Sequence, residues 1–404
     1  MQTALAEPYK STPAGQEADA ILRSCVHCGF CNATCPTYQL LGDELDGPRG
    51  RIYQIKQLVE GAPATERIRL HLDRCLTCRN CETTCPSGVQ YGNLLDIGRD
   101  IVEAQVPRPW RERTFRRLLR FVLPYPRRLR PVLWFAGMFR ALLPATLREQ
   151  LPQRRKPVPW PVSAQQRKVI MLDGCVQSVS EPGINAAAAR VFDRLGYAAQ
   201  RATGANCCGA VSFHLSAADE ARTFMRANID AWWPLIAQGA EAIIVTSSAC
   251  SLMVKDYGRL LKDDAAYAGK AARVSELCCD IAEFIARADL SRLNAVQPQQ
   301  IAFHAPCTLQ HGSKLPGIVE QILGSLGFTL TPVKDAHLCC GAAGTYSILQ
   351  PALSKQLLVN KVAALENGAP ALIATANIGC LLHLQGGSRR PVKHWIELLD
   401  NAHH

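Results

Sequence analysis

No run of about 18 apolar residues occurs among the 404 residues, so a membrane-spanning helix is not expected. The stretch MQTALAEPYKSTPAGQEADA at the start has no apolar core, so no secretory signal is visible. It is expected to be a flexible lead-in, and the chain to belong to a reducing, cytoplasmic compartment. No glycine-rich dinucleotide fingerprint stands in a strand–turn–helix setting, so any hydride acceptor must come from another chain. Acidic residues are scarce over 107–160, which carries 14 Lys+Arg against 2 Asp+Glu. That local +12 accounts for the formal +11 of the whole and leaves the remainder near neutral, at −1. No recognisable binding module accompanies the charge, and no nucleic-acid partner is expected. With 48% hydrophobic and 20% charged residues, the chain should fold into two or three domains with a substantial core.

What is present is cysteine. Eighteen cysteines occur, clustered in a way that points to metal rather than to a secreted disulfide framework. Cys25-x2-Cys28-x2-Cys31-x3-Cys35-Pro36 is repeated fifty residues later as Cys75-x2-Cys78-x2-Cys81-x3-Cys85-Pro86. Four thiolates so spaced and closed by proline are the signature of bacterial proteins holding two 4Fe–4S clusters. Three sulfurs on one tight turn converge on one cube, and the fourth is carried by its proline to the other. One cluster is therefore assigned to Cys25, Cys28, Cys31 and Cys85, and the other to Cys75, Cys78, Cys81 and Cys35. A zinc site needs only two cysteine pairs, and disulfides among repeated close pairs would crowd one another.

Around these runs the periodicity is helical. Ile52, Ile55, Leu58 and Val59, then Ile68 and Leu72, then Leu94, Ile97 and Ile101 each mark one helical face. The loop before the first of these holds Arg49 and Arg51, read as solvated or as caps of helix carboxyl ends; tuning a cluster or docking a partner are the other readings. Residues 1–106 thus form an α-helical two-cluster ferredoxin domain. Residues 107–165 are a basic, proline-divided segment with apolar patches at Leu118, Leu119, Val122 and Leu123 and at Val132–Phe135, Met138 and Phe139. Such a segment fits the surface of an anionic membrane, or a linker packed on a subunit.

From residue 166 the chain repeats itself. Cys175, Cys207, Cys208 and Cys250 return as Cys307, Cys339, Cys340 and Cys380, at offsets of 132 for the first three and 130 for the last. Apolar runs at Val169–Leu172, Ile243–Val245, Ile301–Phe303 and Leu372–Ile373 precede the opening and closing cysteines, with helical patterns such as Asn185–Leu195 and Ala218–Leu235 between. Strands alternating with helices imply parallel sheets, with ligands beyond their carboxyl ends. The expected fold is multidomain α and α/β, its C-terminal half a pseudo-twofold pair of cysteine-rich domains over 166–290 and 291–404.

The doubled Cys207-Cys-Gly-Ala210 and Cys339-Cys-Gly-Ala342 resemble the cysteine-rich (CCG) domain of heterodisulfide reductases. With VHCGFCNATCPTYQLLGDELDGPRGRIY, RCLTCRNCETTCPSGV, NIDAWWP, PCTLQHGSKL, HLCCGAAGTYS, TANIGC and PVKHWIEL, the chain resembles the iron–sulfur subunits of bacterial glycolate oxidase (glycolate dehydrogenase) over nearly its whole length. That resemblance implies an electron-transfer subunit with no catalytic residue of its own. FAD would sit on a partner subunit that oxidises glycolate to glyoxylate, with D-lactate a second substrate. Electrons would pass to the respiratory chain or quinone, with the assembly peripheral on the cytoplasmic face of the inner membrane.

The pattern departs from heterodisulfide reductases at Met253 and His383, where each repeat would need a further cysteine, and this counts against a five-cysteine cluster and disulfide reduction. Cys175, Cys207, Cys208 and Cys250, and Cys307, Cys339, Cys340 and Cys380, are left as candidate ligands for a further iron–sulfur cluster or zinc in each repeat. A zinc-stabilised docking scaffold and a thiol/disulfide or quinone reductase are the alternatives. His304 and His337, near the proposed sites, are read as satisfied structural histidines, with ligation or proton relay to a quinone the other reading, and Cys278-Cys279 as core.

Overall fold

The computed structural model describes residues 1–139, 158–293 and 299–400. It divides into two compact units, Met1–Arg116 with His337–Leu357, and Arg117–Ala336 with Leu358–His404.

The first unit is helical. Helix α1 (Pro13–Ser24) starts where Thr12 accepts a hydrogen bond from the Gly15 amide at 3.2 Å, with proline at the first helical position. Ala18, Ile21 and Leu22 recur at helical spacing and enter the core. The expectation of a flexible lead-in over residues 1–20 is thereby corrected: an amphipathic turn hidden among polar residues is enough to dock this stretch. Helices α2 (Pro48–Val59), α3 (Glu66–Asp73) and α4 (Tyr91–Gln105) carry the faces read from the sequence. Ile55, Leu58, Leu94 and Leu95 are fully buried, each contributing about 1.5–3 kcal/mol of transfer free energy. Gly98 lets α4 approach α2 closely, since a Cβ there would stand 2.6 Å from Ile55 Cγ1. Helix α5 (Trp110–Val122) begins in this unit and ends in the second.

In the second unit, α6 (Pro126–Met138) is followed by two four-stranded parallel sheets. Strands β1 (Arg167–Met171), β2 (Tyr197–Arg201), β3 (Ile243–Val245) and β4 (Cys278–Asp280) lie in the order β2-β1-β3-β4. Strands β5 (Gln300–His304), β6 (Thr329–Leu330), β7 (Leu372–Thr375) and β8 (Val392–His394) repeat it as β6-β5-β7-β8. All pairings are parallel. The central strands β1, β3, β5 and β7 are the apolar runs read from the sequence, and they are buried as strands covered on both faces must be. Helices α7 (Gly183–Arg194) and α8 (Ala218–Ala237) cross over between strands of the first sheet, and α9 (Ser248–Lys255) and α10 (Ile378–Gln385) follow β3 and β7. The cysteines that open and close each repeat thus stand beyond the carboxyl ends of the two inner strands. Residues 140–157, the latter part of the basic segment, lie outside the described residues.

Candidate metal centres

The two cysteine turns share one backbone device. His27 and Gly29 flank Cys28, and Thr77 and Arg79 flank Cys78; all four have φ between 55° and 87°. The left-handed conformation costs a residue with a side chain about 1–3 kcal/mol, and here it winds the chain so that amides face sulfur. The Thr77 amide donates to Cys75 Sγ at 3.4 Å. Gly29 is required twice over, by its φ and because a Cβ would lie 2.6 Å from the Arg49 guanidinium.

These turns line two neighbouring clefts. One, of about 440 Å³, is bounded by Cys25, Cys28, Cys31 and Cys85. The other, of about 300 Å³, is bounded by Cys35, Cys75, Cys78 and Cys81. Cys81, Pro48 and Tyr91 belong to both walls. The first cleft is the more open: Cys28 is exposed, as are Val26 and Phe30 beside it. In the second, all four cysteines are buried. Burial, then repulsion from Cys25 and the other neighbouring sulfurs, pushes the Cys31 thiol up to about 11. Burial and then Cys78 and Cys75 push Cys81 well above its ordinary value. Four sulfurs gathered on one cleft are a donor set for a cationic metal cluster, and these residues fit two 4Fe–4S clusters.

Beneath the second cleft lies a polar network at odds with the reading of Arg51 as solvated or capping. Its side chain is only 1% exposed. It donates to the His71 carbonyl at 2.8 Å and to the Thr37 hydroxyl at 3.2 Å from both terminal nitrogens. Asp46, fully buried, stands 3.4 Å from Arg51, 3.0 Å from His71 Nδ1 and 2.7 Å from Arg74. A guanidinium with these partners keeps four of its five donors engaged on burial, which is why it can lie inside. Arg49 remains at the surface in a 2.6 Å ion pair with Glu44. Tyr91 directs its hydroxyl to Cys75 Sγ at 3.7 Å.

The first unit also holds Cys339 and Cys340. The Asn80 amide nitrogen donates to the His337 carbonyl at 3.2 Å, tying this loop to the second cysteine turn. Tyr346 has a buried hydroxyl without a hydrogen-bond partner among the described residues. Burial, then the nearby charges of Cys75 and Cys339, raises its pKa against the opposing effect of Arg51.

In the first repeat, Cys207 contacts Cys175 and Cys208, and Cys208 contacts Cys250, so the four sulfurs form one string. Contact with Cys175 raises the Cys207 thiol, contact with Cys207 raises Cys208, and contact with Cys208 raises Cys250, with burial adding to each. The Gly209 amide donates to Cys207 Sγ at 3.4 Å, and Gly341 donates to Cys339 Sγ at the same distance, each from a left-handed glycine. Of the second repeat's set, Cys307 and Cys380 belong to the second unit and Cys339 and Cys340 to the first. Met253 and His383 are both buried. Cys278 and Cys279 lie in buried β4, with Cys278 Sγ 3.7 Å from the Ser251 carbonyl.

His304 stands out from its reading as a satisfied structural histidine. It is buried, its Nε2 has no hydrogen-bond partner among the described residues, and a ring nitrogen lies within 4.8 Å of Cys380 Sγ. Its place three residues before Cys307 was the available signal; the unpaired nitrogen was not legible from spacing.

The chain matches the 4Fe-4S dicluster domain family over residues 21–89 and the cysteine-rich domain family over 169–255 and 301–385. It is 55% identical over 403 residues to the glycolate oxidase iron-sulfur subunit of Escherichia coli, covering 100% of this chain and 99% of that protein. It is 28% identical over 400 residues to the probable glycolate oxidase iron-sulfur subunit of Bacillus subtilis, covering 91% and 89%. Lactate utilization protein A of Bacillus licheniformis is 26% identical over 244 residues, covering 58% of this chain and 99% of that one.

Proposed function

Because the chain belongs to the family of glycolate oxidase iron–sulfur subunits, we propose that it carries electrons released from glycolate, and from D-lactate, by a flavin-bearing partner toward the respiratory chain. The observation that carries this reading is the pair of four-cysteine clefts sharing Cys81, Pro48 and Tyr91 as a common wall. When bound there, 4Fe–4S clusters supply one-electron chemistry, which joins a two-electron flavin to a membrane acceptor such as quinone. The protein's own residues hold the sulfurs, exclude water from the second cleft and leave the first accessible at Cys28. We assign Cys25, Cys28, Cys31 and Cys85 to one cluster and Cys75, Cys78, Cys81 and Cys35 to the other. The flavin subunit meets the chain at the open cleft, where Val26 and Phe30 offer an apolar rim.

The functional division is 1–106, 107–165, 166–290 and 291–404. We assign a metal to Cys175, Cys207, Cys208 and Cys250, either a further iron–sulfur cluster or zinc. The equivalent set is Cys307, Cys339, Cys340 and Cys380. The string of sulfur contacts in the first repeat favours metal binding there over a cysteine core. The hydrogen bond from the Asn80 side chain to the His337 carbonyl ties the loop before Cys339 to the second cysteine turn, which supports an onward route past Cys339.

We also propose peripheral attachment to the cytoplasmic face of the inner membrane. Among the described residues, no helix is long and apolar enough to cross a membrane. The outer faces of α5 and α6 expose Leu118, Phe121, Val132, Phe135, Met138 and Phe139 among Arg117, Arg127, Arg128 and Arg130. Arg128 lies 3.9 Å over Phe121 and 4.1 Å over Tyr125, so charge and apolar surface are interleaved. That composition complements anionic headgroups above acyl chains.

Cys28→Ser in the assembled complex tests the electron path. Loss of glycolate-dependent dye reduction, with the complex intact, is expected. Unchanged reduction would show that electrons bypass this chain.

A further inference from the structure

We propose that Arg51 is the residue that orders the two cluster potentials: its fixed, buried positive charge makes the cluster at Cys35, Cys75, Cys78 and Cys81 the easier one to reduce. This rests on the ligand sets proposed above and goes beyond them to the direction of electron flow.

Adding an electron to a cluster adds negative charge, so a nearby cation favours the reduced form, and more strongly where water does not screen it. Arg51 meets both conditions. It lines the second cleft, and its terminal nitrogens reach the Thr37 hydroxyl, which stands 3.3 Å from Cys35 Sγ. One oxygen atom thus separates guanidinium from ligand sulfur. The side chain is 1% exposed, against 36% for Arg49 at the first cleft.

The surrounding charges do not cancel it. Asp46 is the carboxylate of the network, but it is shared with Arg74 at 2.7 Å and with His71 at 3.0 Å. Arg99 adds another cation close by, donating to the Cys75 carbonyl at 2.9 Å. Two further groups favour the same direction: the Tyr91 hydroxyl at 3.7 Å and the Thr77 amide at 3.4 Å both donate to Cys75 Sγ. At the first cleft, by contrast, Arg49 is neutralised by Glu44 at 2.6 Å in a pair open to solvent. Burial of the second cleft works the other way, disfavouring added charge, and a buried cation is what offsets it. The consequence is a slope: an electron entering at the exposed Cys28 side is drawn inward, toward the buried second cleft.

The test is an EPR-monitored redox titration of the anaerobically purified full chain, with iron counted on each sample. The native protein should give two one-electron waves. Arg51→Gln should lower the upper wave by at least a tenfold fall in its reduced-to-oxidised ratio at fixed potential, about 59 mV for a one-electron couple. The lower wave should stay in place. Asp46→Asn, which removes the opposing charge but keeps hydrogen-bonding atoms, should move the upper wave in the opposite direction. An upper wave that stays put in either variant, with both clusters loaded, overturns the proposal. Loss of iron from Arg51→Gln leaves the decision to Asp46→Asn. Iron for a single cluster in the native chain would instead contradict the ligand sets.

Discussion

The Ser247 hydroxyl donates to the Asn377 side-chain oxygen at 2.9 Å, and the two residues hold the same place in the two repeats, three before Cys250 and Cys380. A contact between equivalents is what a twofold relation between lobes produces. Around it, the Ser248 amide donates to the Ala376 carbonyl at 3.2 Å, and His394 Nε2 lies 2.9 Å from the Thr246 carbonyl. The starts of α9 and α10, the helices that carry the closing cysteines, are therefore braced against one another.

Asn377 does two jobs there, since its side chain also caps α10 by accepting from the Gly379 amide at 3.2 Å. Asn377→Ala should cost about 2 kcal/mol, one part for the cap and one for the buried hydrogen bond. Ser247→Ala should cost about 1 kcal/mol. Urea denaturation of both variants checks the ranking; equal costs would mean that the cap contributes nothing.

Two buried groups give the second unit opposed pH responses. Burial holds His394 down to about 4, from an ordinary 6.5, so its contribution is complete above pH 6.5 and is lost as pH falls toward 4. Burial pushes Asp280 up to about 7, from 3.8, so its contribution is complete below 3.8 and is lost as pH rises through 7. The spans amount to about 3 and about 4 kcal/mol and nearly cancel between them. Asp280→Asn can still cap the Ala282 amide, now met at 2.9 Å, while removing the buried charge. It should stabilise the protein at pH 8 and leave a rise in stability from pH 4 to 6.5. A variant less stable than the native chain at pH 8 would contradict this.

Binding at a lipid surface should depend on both components of the α5–α6 face. The complex should float with vesicles of phosphatidylcholine containing phosphatidylglycerol, and should do so less as salt rises. Phe135→Glu together with Phe139→Glu should abolish flotation while subunit assembly survives. Loss of assembly instead would make this face a subunit contact.

Much of this architecture is legible in the sequence, and its gaps have physical causes. The inner strands β1, β3, β5 and β7 declare themselves because burial on both faces demands continuous apolar runs. The outer strands do not: Tyr197–Arg201 is largely half-exposed, and Thr329–Leu330 spans two residues. The cysteine spacings imply which sulfurs share a cleft, since a tight turn and a proline constrain reach. Arg51 reads as a loop cation because its partners Thr37, Asp46 and His71 come from three other elements and converge only in the folded chain. The grouping of Cys339 and Cys340 with the first unit has no local signal at all.

The most direct test of the central claim is iron, sulfide and zinc per chain on anaerobically purified protein, with EPR of the reduced sample. Two four-cysteine clefts sharing a wall predict at least eight irons and two magnetically interacting cubane signals. Iron beyond eight, or zinc, would report the metal held by the repeats. Fewer than eight irons in intact protein, or two clusters without interaction, would contradict the account.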